Sequence, residues 1–255
     1  MKRIGILGGS SDYATVDYYR RFNRAVNARL GGWNTAELII NSMNFAFSAD
    51  CVCNERWDDV AAYLAERALA VEHAGAEILI CVSNTLHRVA DVFTTGLSIP
   101  FVHIVDPTAA AIQATGLSCV ALLGTKPVMK TDFLIRRYAD LFGIEAMVPE
   151  PEEQDVLDRI IFEELCRGRF TMESKAAYLD VIDRMKRRGS QGVILGCTEI
   201  PLLINQQDRP GFPMFDTAEL HVEATVQKAL GNVPISSAEK TVQVDGLSSF
   251  RSGQR

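Results

Sequence analysis

Two stretches of this chain, 114 residues apart, carry the same design. When Gly75 is set on Gly189, the run Ile78-Leu79-Ile80-Cys81-Val82-Ser83-Asn84-Thr85 falls on Gly192-Val193-Ile194-Leu195-Gly196-Cys197-Thr198-Glu199. Each is a short apolar run that stops at small polar residues. That is the signature of a buried strand delivering polar side chains at its carboxyl end. A second pair repeats at an offset of 116: Ile4-Gly5-Ile6-Leu7-Gly8-Gly9 and Val120-Ala121-Leu122-Leu123-Gly124-Thr125. Two similar offsets imply two copies of one α/β unit.

The intervening segments fit that unit. Tyr18, Phe22, Val26 and Leu30 recur at helical spacing before Gly31-Gly32, and residues 36–43 read as a strand. Trp57, Val60, Ala61, Leu64, Ala68 and Val71 share one helical face closed by Gly75. Residues 99–104 read as a further strand. In the second half helical spacing returns at Phe133, Arg137 and Leu141, at Leu157, Ile161 and Leu165, and at Leu179, Ile182 and Met185. A late strand at 213–215 precedes a helix capped by Asp216 or Thr217 that packs back on the first half. The expected fold is α/β, with two pseudo-symmetric Rossmann-like domains, each a parallel sheet flanked by helices. The first domain takes residues 1–115 and 212–232, the second 116–211. Residues 233–255 are a polar tail with no periodicity.

Composition limits the function. The 255 residues are 47% hydrophobic, enough for a sizeable core. A net charge of −6 leaves no basic footprint for nucleic acid. No apolar run reaches the roughly 20 residues a bilayer crossing needs, so no membrane partner is expected and the protein reads as cytoplasmic. The six cysteines then read as reduced. Cys51-Val52-Cys53 lacks further ligands at useful spacing, so no metal is expected.

In parallel sheets, ligands bind beyond the carboxyl ends of the strands. Four such ends carry small polar groups here: Gly8-Gly9-Ser10-Ser11, Ser83-Asn84-Thr85, Gly124-Thr125 and Cys197-Thr198-Glu199. Each is placed where a helix should begin, which suits a small anion. The spacing Gly5-x-x-Gly8-Gly9 is neither a dinucleotide nor a Walker motif. Cys197 is the sharpest residue. A helix N-terminus lowers a thiol below its reference pKa of about 8.5, which would make Cys197 a base near neutral pH. Cys81 reads as core. His87, one turn past Ser83, either orients a substrate group or caps its own turn.

These motifs resemble those of the aspartate/glutamate racemase family over residues 1–230. The carriers are Gly8-Gly9, Asn84-Thr85-Leu86-His87, Leu122-Leu123-Gly124-Thr125, Ile160-Ile161-Phe162-Glu163-Glu164-Leu165 and, most specifically, residues 192–200. The resemblance implies two pseudo-symmetric domains with the active site between them. It also implies a homodimer, an amino-acid substrate, no cofactor, and proton transfer at Cα by two residues on opposite faces. The proton-transfer positions fall on Ser83 and Cys197. Ser10, Ser11, Asn84, Thr85, His87, Thr125, Thr198 and Glu199 are the expected substrate-binding residues. Many relatives have cysteine at both proton-transfer positions, so a Ser/Cys pair implies an asymmetric racemase favouring one enantiomer. Other readings remain open: a one-thiol decarboxylase or isomerase of the same superfamily, or a non-catalytic amino-acid-binding relative. Many relatives also carry Met-Ser-Trp-Glu where this chain has Ser10-Ser11-Asp12-Tyr13. An Asp12 facing the pocket would disfavour a second carboxylate. Arg56 is one candidate for gripping such a carboxylate, against a surface ion pair as the plainer role.

Overall fold

The structure, a computed structural model, describes residues 1–231; the tail expected over 233–255 lies outside the described residues. The first half runs β1 (Ile4–Gly8), α1 (Asp12–Leu30), β2 (Leu38–Ser42), α2 (Phe45–Cys53), α3 (Trp57–His73) and β3 (Ile78–Cys81). A 3-10 turn at Thr85–Val89 then leads to α4 (Ala90–Phe93) and α5 (Val105–Ala114). The second half runs β4 (Cys119–Gly124), α6 (Lys126–Lys130), α7 (Phe133–Phe142), β5 (Glu145–Met147) and α8 (Pro151–Glu163). It continues through a 3-10 turn at Leu165–Arg167, α9 (Met172–Arg187), β6 (Val193–Gly196) and α10 (Ile200–Leu203). After another 3-10 turn at Gln206–Asp208 it closes with β7 (Met214–Asp216) and α11 (Thr217–Leu230).

Two parallel sheets result, ordered β2-β1-β3 and β5-β4-β6-β7. The duplication seen in the sequence is a duplication of register. Leu7 pairs with Cys81 and Ile6 with Ile80. Carried through the offsets of 116 and 114, these pairs become Leu123 with Leu195 and Leu122 with Ile194, which are the observed partners. Both strands of each pair are buried throughout except at Cys119, the first residue of β4, as parallel strands covered on two faces require. Their equivalent carboxyl ends therefore carry Ser83 and Cys197.

The strand expected over 99–104 shrinks to an isolated bridge between Leu79 and Phe101. Pro100 has no N–H to extend the ladder, and the chain leaves the sheet into α5 at Val105. The equivalent edge in the second half is β7, which pairs with β6. The helices after these two edges cross over. Ile104, Val105, Ala109 and Ile112 pack with β4 and α7, in the second half's core. Ala218, Val222, Val226 and Ala229 of α11 pack with β1, β3 and α1, in the first half's core. Each half thus supplies a helix to the other's sheet, and the crossing holds the two sets of strand ends together.

Local chemistry fixes the site's floor. Ser11 caps α1, its hydroxyl accepting from the Ala14 N–H. Gly9 sits at φ +86, and a Cβ there would lie 2.3 Å from the Met43 carbonyl oxygen. Only glycine allows the β1–α1 turn to press against the end of β2. Among the described residues no helix is long and apolar enough to cross a membrane.

Candidate active site

The polar strand ends from both sheets open into one narrow cleft, with a cavity volume of about 50 Å³. Ser83, Asn84 and Thr85 line it from the first half; Thr125, Cys197, Thr198 and Glu199 line it from the second. Thr85 and Thr125 meet directly, Oγ1 to Oγ1 at 2.9 Å.

Glu199 organises the second side. Its carboxylate is 2% exposed and accepts four hydrogen bonds. The Ser11 hydroxyl donates to Oε1 at 2.5 Å and the Cys166 thiol to Oε1 at 3.5 Å. The Cys197 thiol donates to Oε2 at 3.0 Å and the Thr198 hydroxyl to Oε2 at 2.9 Å. Burying a carboxylate without a cation is costly unless its lone pairs are filled, and here they are. The consequence for Cys197 runs against the sequence expectation. Burial, reinforced by the adjacent Glu199 carboxylate, pushes the Cys197 thiol well above its ordinary pKa. The helix that follows, α10, is a single turn and does not offset this. Cys197 therefore rests as a thiol aimed at a carboxylate. Burial and the same carboxylate also raise Cys166.

The first side is built from neutral groups. The Ser83 hydroxyl oxygen accepts from the Leu86 N–H at 3.3 Å, which leaves its own proton free. His87 Nδ1–H donates to the Ser83 carbonyl at 2.6 Å, and Nε2 accepts from the Ile104 N–H at 3.2 Å. Both ring nitrogens are thereby spent on backbone, and burial drives the His87 pKa down to about 3. Behind it, His103 lies 4.5 Å away centroid to centroid and His221 6.0 Å away. His221 Nδ1 accepts from the Tyr18 hydroxyl at 3.2 Å, and Nε2–H donates to the Val102 carbonyl at 2.8 Å.

The structure brings most of the expected residues to the cleft, though not all. Ser10 lines it, with its hydroxyl donated to the Val82 carbonyl at 2.6 Å. Ser11 lies behind Glu199 as cap and hydrogen-bond donor, and His87 is a backbone clamp; neither lines the cleft. Asn84 Nδ2–H donates to Thr217 Oγ1 at 3.1 Å, tying the end of β3 to α11. Asp12 is exposed and does not line the cleft, although its charge contributes to raising the cleft-lining Cys166 thiol. Arg56 is paired on the surface with Asp50 and Asp59. Cys81 is fully buried below the cleft, its thiol pushed up to about 12 by burial.

Sequence reasoning missed the apolar wall. Phe45, Ala49 and Val52 of α2 and Ile161 and Phe162 of α8 line it, with Ser48 and Cys166. Phe45 and Phe162 stack across the cleft at 6.4 Å between centroids, 13° apart in plane. One signal was present. Phe162 is apolar but out of phase with the Leu157–Ile161–Leu165 stripe, which marks a contact other than the core. α2 buries only Ser48 and Cys51, so it shows no apolar stripe to read. Among the described residues no cluster of His, Cys, Asp or Glu is arranged to hold a metal ion.

Comparison with known proteins gives a consistent picture. The family model for Asp/Glu/hydantoin racemase matches residues 4–225. A candidate Asp/Glu racemase structure from Yersinia pestis is 39% identical, with a TM-score of 0.82, covering 90% of this chain and 100% of that one. An aspartate racemase homologue from Pyrococcus horikoshii is 37% identical, with a TM-score of 0.78, covering 90% and 99%. A glutamate racemase from Roseiflexus sp. is 30% identical over 176 residues, spanning 65% of this chain and 60% of that protein's length.

Proposed function

The chain belongs to the Asp/Glu/hydantoin racemase family, and from that membership we propose that it is an amino-acid racemase, an isomerase acting on aspartate or glutamate by proton transfer at Cα without a cofactor. One observation carries this reading. Cys197 and Ser83 hold equivalent positions in two copies of one unit, and both line the same cleft. Inverting a carbon centre requires a proton removed from one face and another delivered to the opposite face. Two equivalent strand ends flanking one ligand supply both groups.

The two groups differ in chemistry, so their roles differ. The Cys197 thiol passes its proton to Glu199 Oε2, 3.0 Å away, and the thiolate takes the α-proton. A raised thiol pKa makes that thiolate scarce but strongly basic once formed. On the other face the Ser83 hydroxyl gives a proton to the carbanion, directly or through a water that it holds, and is reprotonated from solvent. Cys197 keeps the α-proton and Glu199 releases its own to solvent, which resets the site. Its oxygen already accepts from Leu86 N–H, which favours donation over proton removal. The Thr85 and Thr125 hydroxyls exchange their mutual bond for the substrate α-carboxylate.

A Ser/Cys pair is asymmetric, yet the two enantiomers have equal free energies. The ratio kcat/KM is therefore equal in both directions whatever the site contains. The bias towards one enantiomer appears in kcat and KM separately, and in the ratio of α-proton exchange to inversion. The test is incubation of each enantiomer of aspartate and glutamate in deuterated water, following optical rotation and loss of the α-proton signal. We expect inversion of at least one amino acid, with unequal exchange-to-inversion ratios from its two enantiomers. Absence of α-proton loss from all four compounds would sink the racemase reading. Equal ratios would remove the asymmetric pair.

A further inference from the structure

We propose that Arg88 is the receptor for the substrate's side-chain carboxylate and that it sets a preference for glutamate over aspartate. This rests on the racemase reading above. The residues lining the cleft include no lysine, arginine or histidine, and they do include the Glu199 carboxylate. A second substrate carboxylate held there without a cation would be desolvated beside a like charge, an unfavourable arrangement. The cation has to come from an adjoining wall.

Arg88 stands on that wall. It lies in the 3-10 turn Thr85–Val89, three residues after the cleft-lining Thr85. In a 3-10 turn, residues three apart eclipse one another, separated by about 6 Å along the axis at roughly 2.0 Å per residue. Thr85 and Arg88 thus share one face of the turn. A second cavity, lined by Arg88 and Trp57, shares Val52 and Phe162 with the cleft. In this proposal a substrate side chain reaches past those two residues to the guanidinium. Glutamate carries its carboxylate one methylene further than aspartate and makes the better fit.

The guanidinium is held ready for this. It lies over the Trp57 indole, 4.2 Å from the ring centroid, and has no carboxylate partner among the described residues. Two of the neighbouring cations differ, while Lys130 of the same cavity likewise has no carboxylate partner among the described residues. Arg56 is bound to Asp50 and Asp59, and Lys126 to Asp155 at 2.7 Å. Asp158, on the same wall, accepts from the Lys126 N–H at 2.6 Å. Trp57 Nε1 is the one buried side-chain nitrogen or oxygen among the described residues that lacks a hydrogen-bond partner. The residue that positions Arg88 therefore also carries an unused donor beside the same cavity. A planar fork stacked on an aromatic ring is the arrangement that best recognises a carboxylate.

The experiment compares wild type, Arg88→Gln and Arg88→Lys with glutamate, aspartate and glutamine, the uncharged analogue of glutamate. We expect Arg88→Gln to raise KM for glutamate by roughly 10- to 100-fold, with kcat nearly unchanged and glutamine unaffected. Arg88→Lys should recover part of the loss. Equal changes for glutamate and glutamine, or none, would overturn the assignment. Calorimetric binding of glutarate, a dicarboxylate that cannot racemise, tests Arg88 without turnover. Glutarate affinity should fall by a similar factor in Arg88→Gln; an unchanged affinity, or no binding to wild type, counts against Arg88. Failure of wild type to exchange the α-proton of any amino acid would instead overturn the racemase reading, with the glutarate result still deciding Arg88.

Discussion

The ends of β3 and β6 occupy equivalent places in the fold and have opposite electrostatic characters. At the β3 end, the groups hydrogen-bonded to Ser83 are neutral. A histidine clamps its carbonyl, and two more buried histidines stand behind. At the β6 end, a buried carboxylate gathers two thiols and two hydroxyls. In the proposed reaction, one backbone design serves a face that donates a proton and a face that accepts one. The duplication sets where the two groups stand, and the side chains packed around each strand end set what they do.

The sharpest way to break this comparison is to remove each group in turn. Cys197→Ala should lose activity by about 10²- to 10⁴-fold, the usual contribution of a positioned acid or base, and should abolish α-proton exchange from the enantiomer whose proton faces it. Ser83→Ala should lose less, because water can replace a hydroxyl donor. Exchange without inversion should then persist from one enantiomer. If both variants lose inversion and exchange equally, the division of roles is wrong. Steady-state kinetics alongside proton exchange decides this. Ser83→Cys restores a thiol at the first end and should bring kcat for the two directions closer together.

Glu199→Gln probes the second end alone. Removing the negative charge removes one cause of the raised Cys197 pKa, so the midpoint for alkylation of that thiol should move down in pH. Activity should nevertheless fall, because the amide cannot take the thiol proton. Iodoacetamide labelling at a series of pH values, read by mass spectrometry on the peptide containing Cys197, checks the direction. A midpoint that rises or stays fixed would show that the carboxylate is a spectator.

The first end predicts a milder effect, on stability. Burial holds His87 at about 3 and His221 at about 4, and lowers His103 as well. An unfolded histidine binds its proton near pH 6.5. Between those values the unfolded state carries more protons than the folded one, so stability is lost as pH falls below about 6.5. The midpoint of thermal unfolding should drop by on the order of 10 °C between pH 7.5 and 5. His103→Asn keeps an acceptor for the Val105 N–H, which His103 Nδ1 now binds, and should flatten the dependence. Calorimetric scans of both proteins at the two pH values would show whether the slope belongs to the histidines.

Much of the frame was legible in the chain itself. The offsets of 114 and 116 between apolar runs marked two copies of one unit, and the two copies share one ladder register. Strand ends marked by Ser83, Asn84, Thr85, Thr125, Cys197 and Thr198 foretold which residues line one cleft, because a parallel sheet delivers its carboxyl ends to one side. Tertiary structure alone decided the chemistry at those ends. The direction of the Cys197 shift comes from a carboxylate whose own partners arrive from Ser11 and Cys166, on other elements. Local sequence suggested a helix N-terminus there; burial reversed the sign. Of the two roles open to His87, the structure shows the backbone clamp, because Ile104 is brought to its second nitrogen. Arg56 and Arg88 look alike along the chain, and only the placement of Asp50, Asp59 and Trp57 separates the spent cation from the open one. Spacing is written along a sequence, whereas charge state depends on burial and on which distant groups share the space.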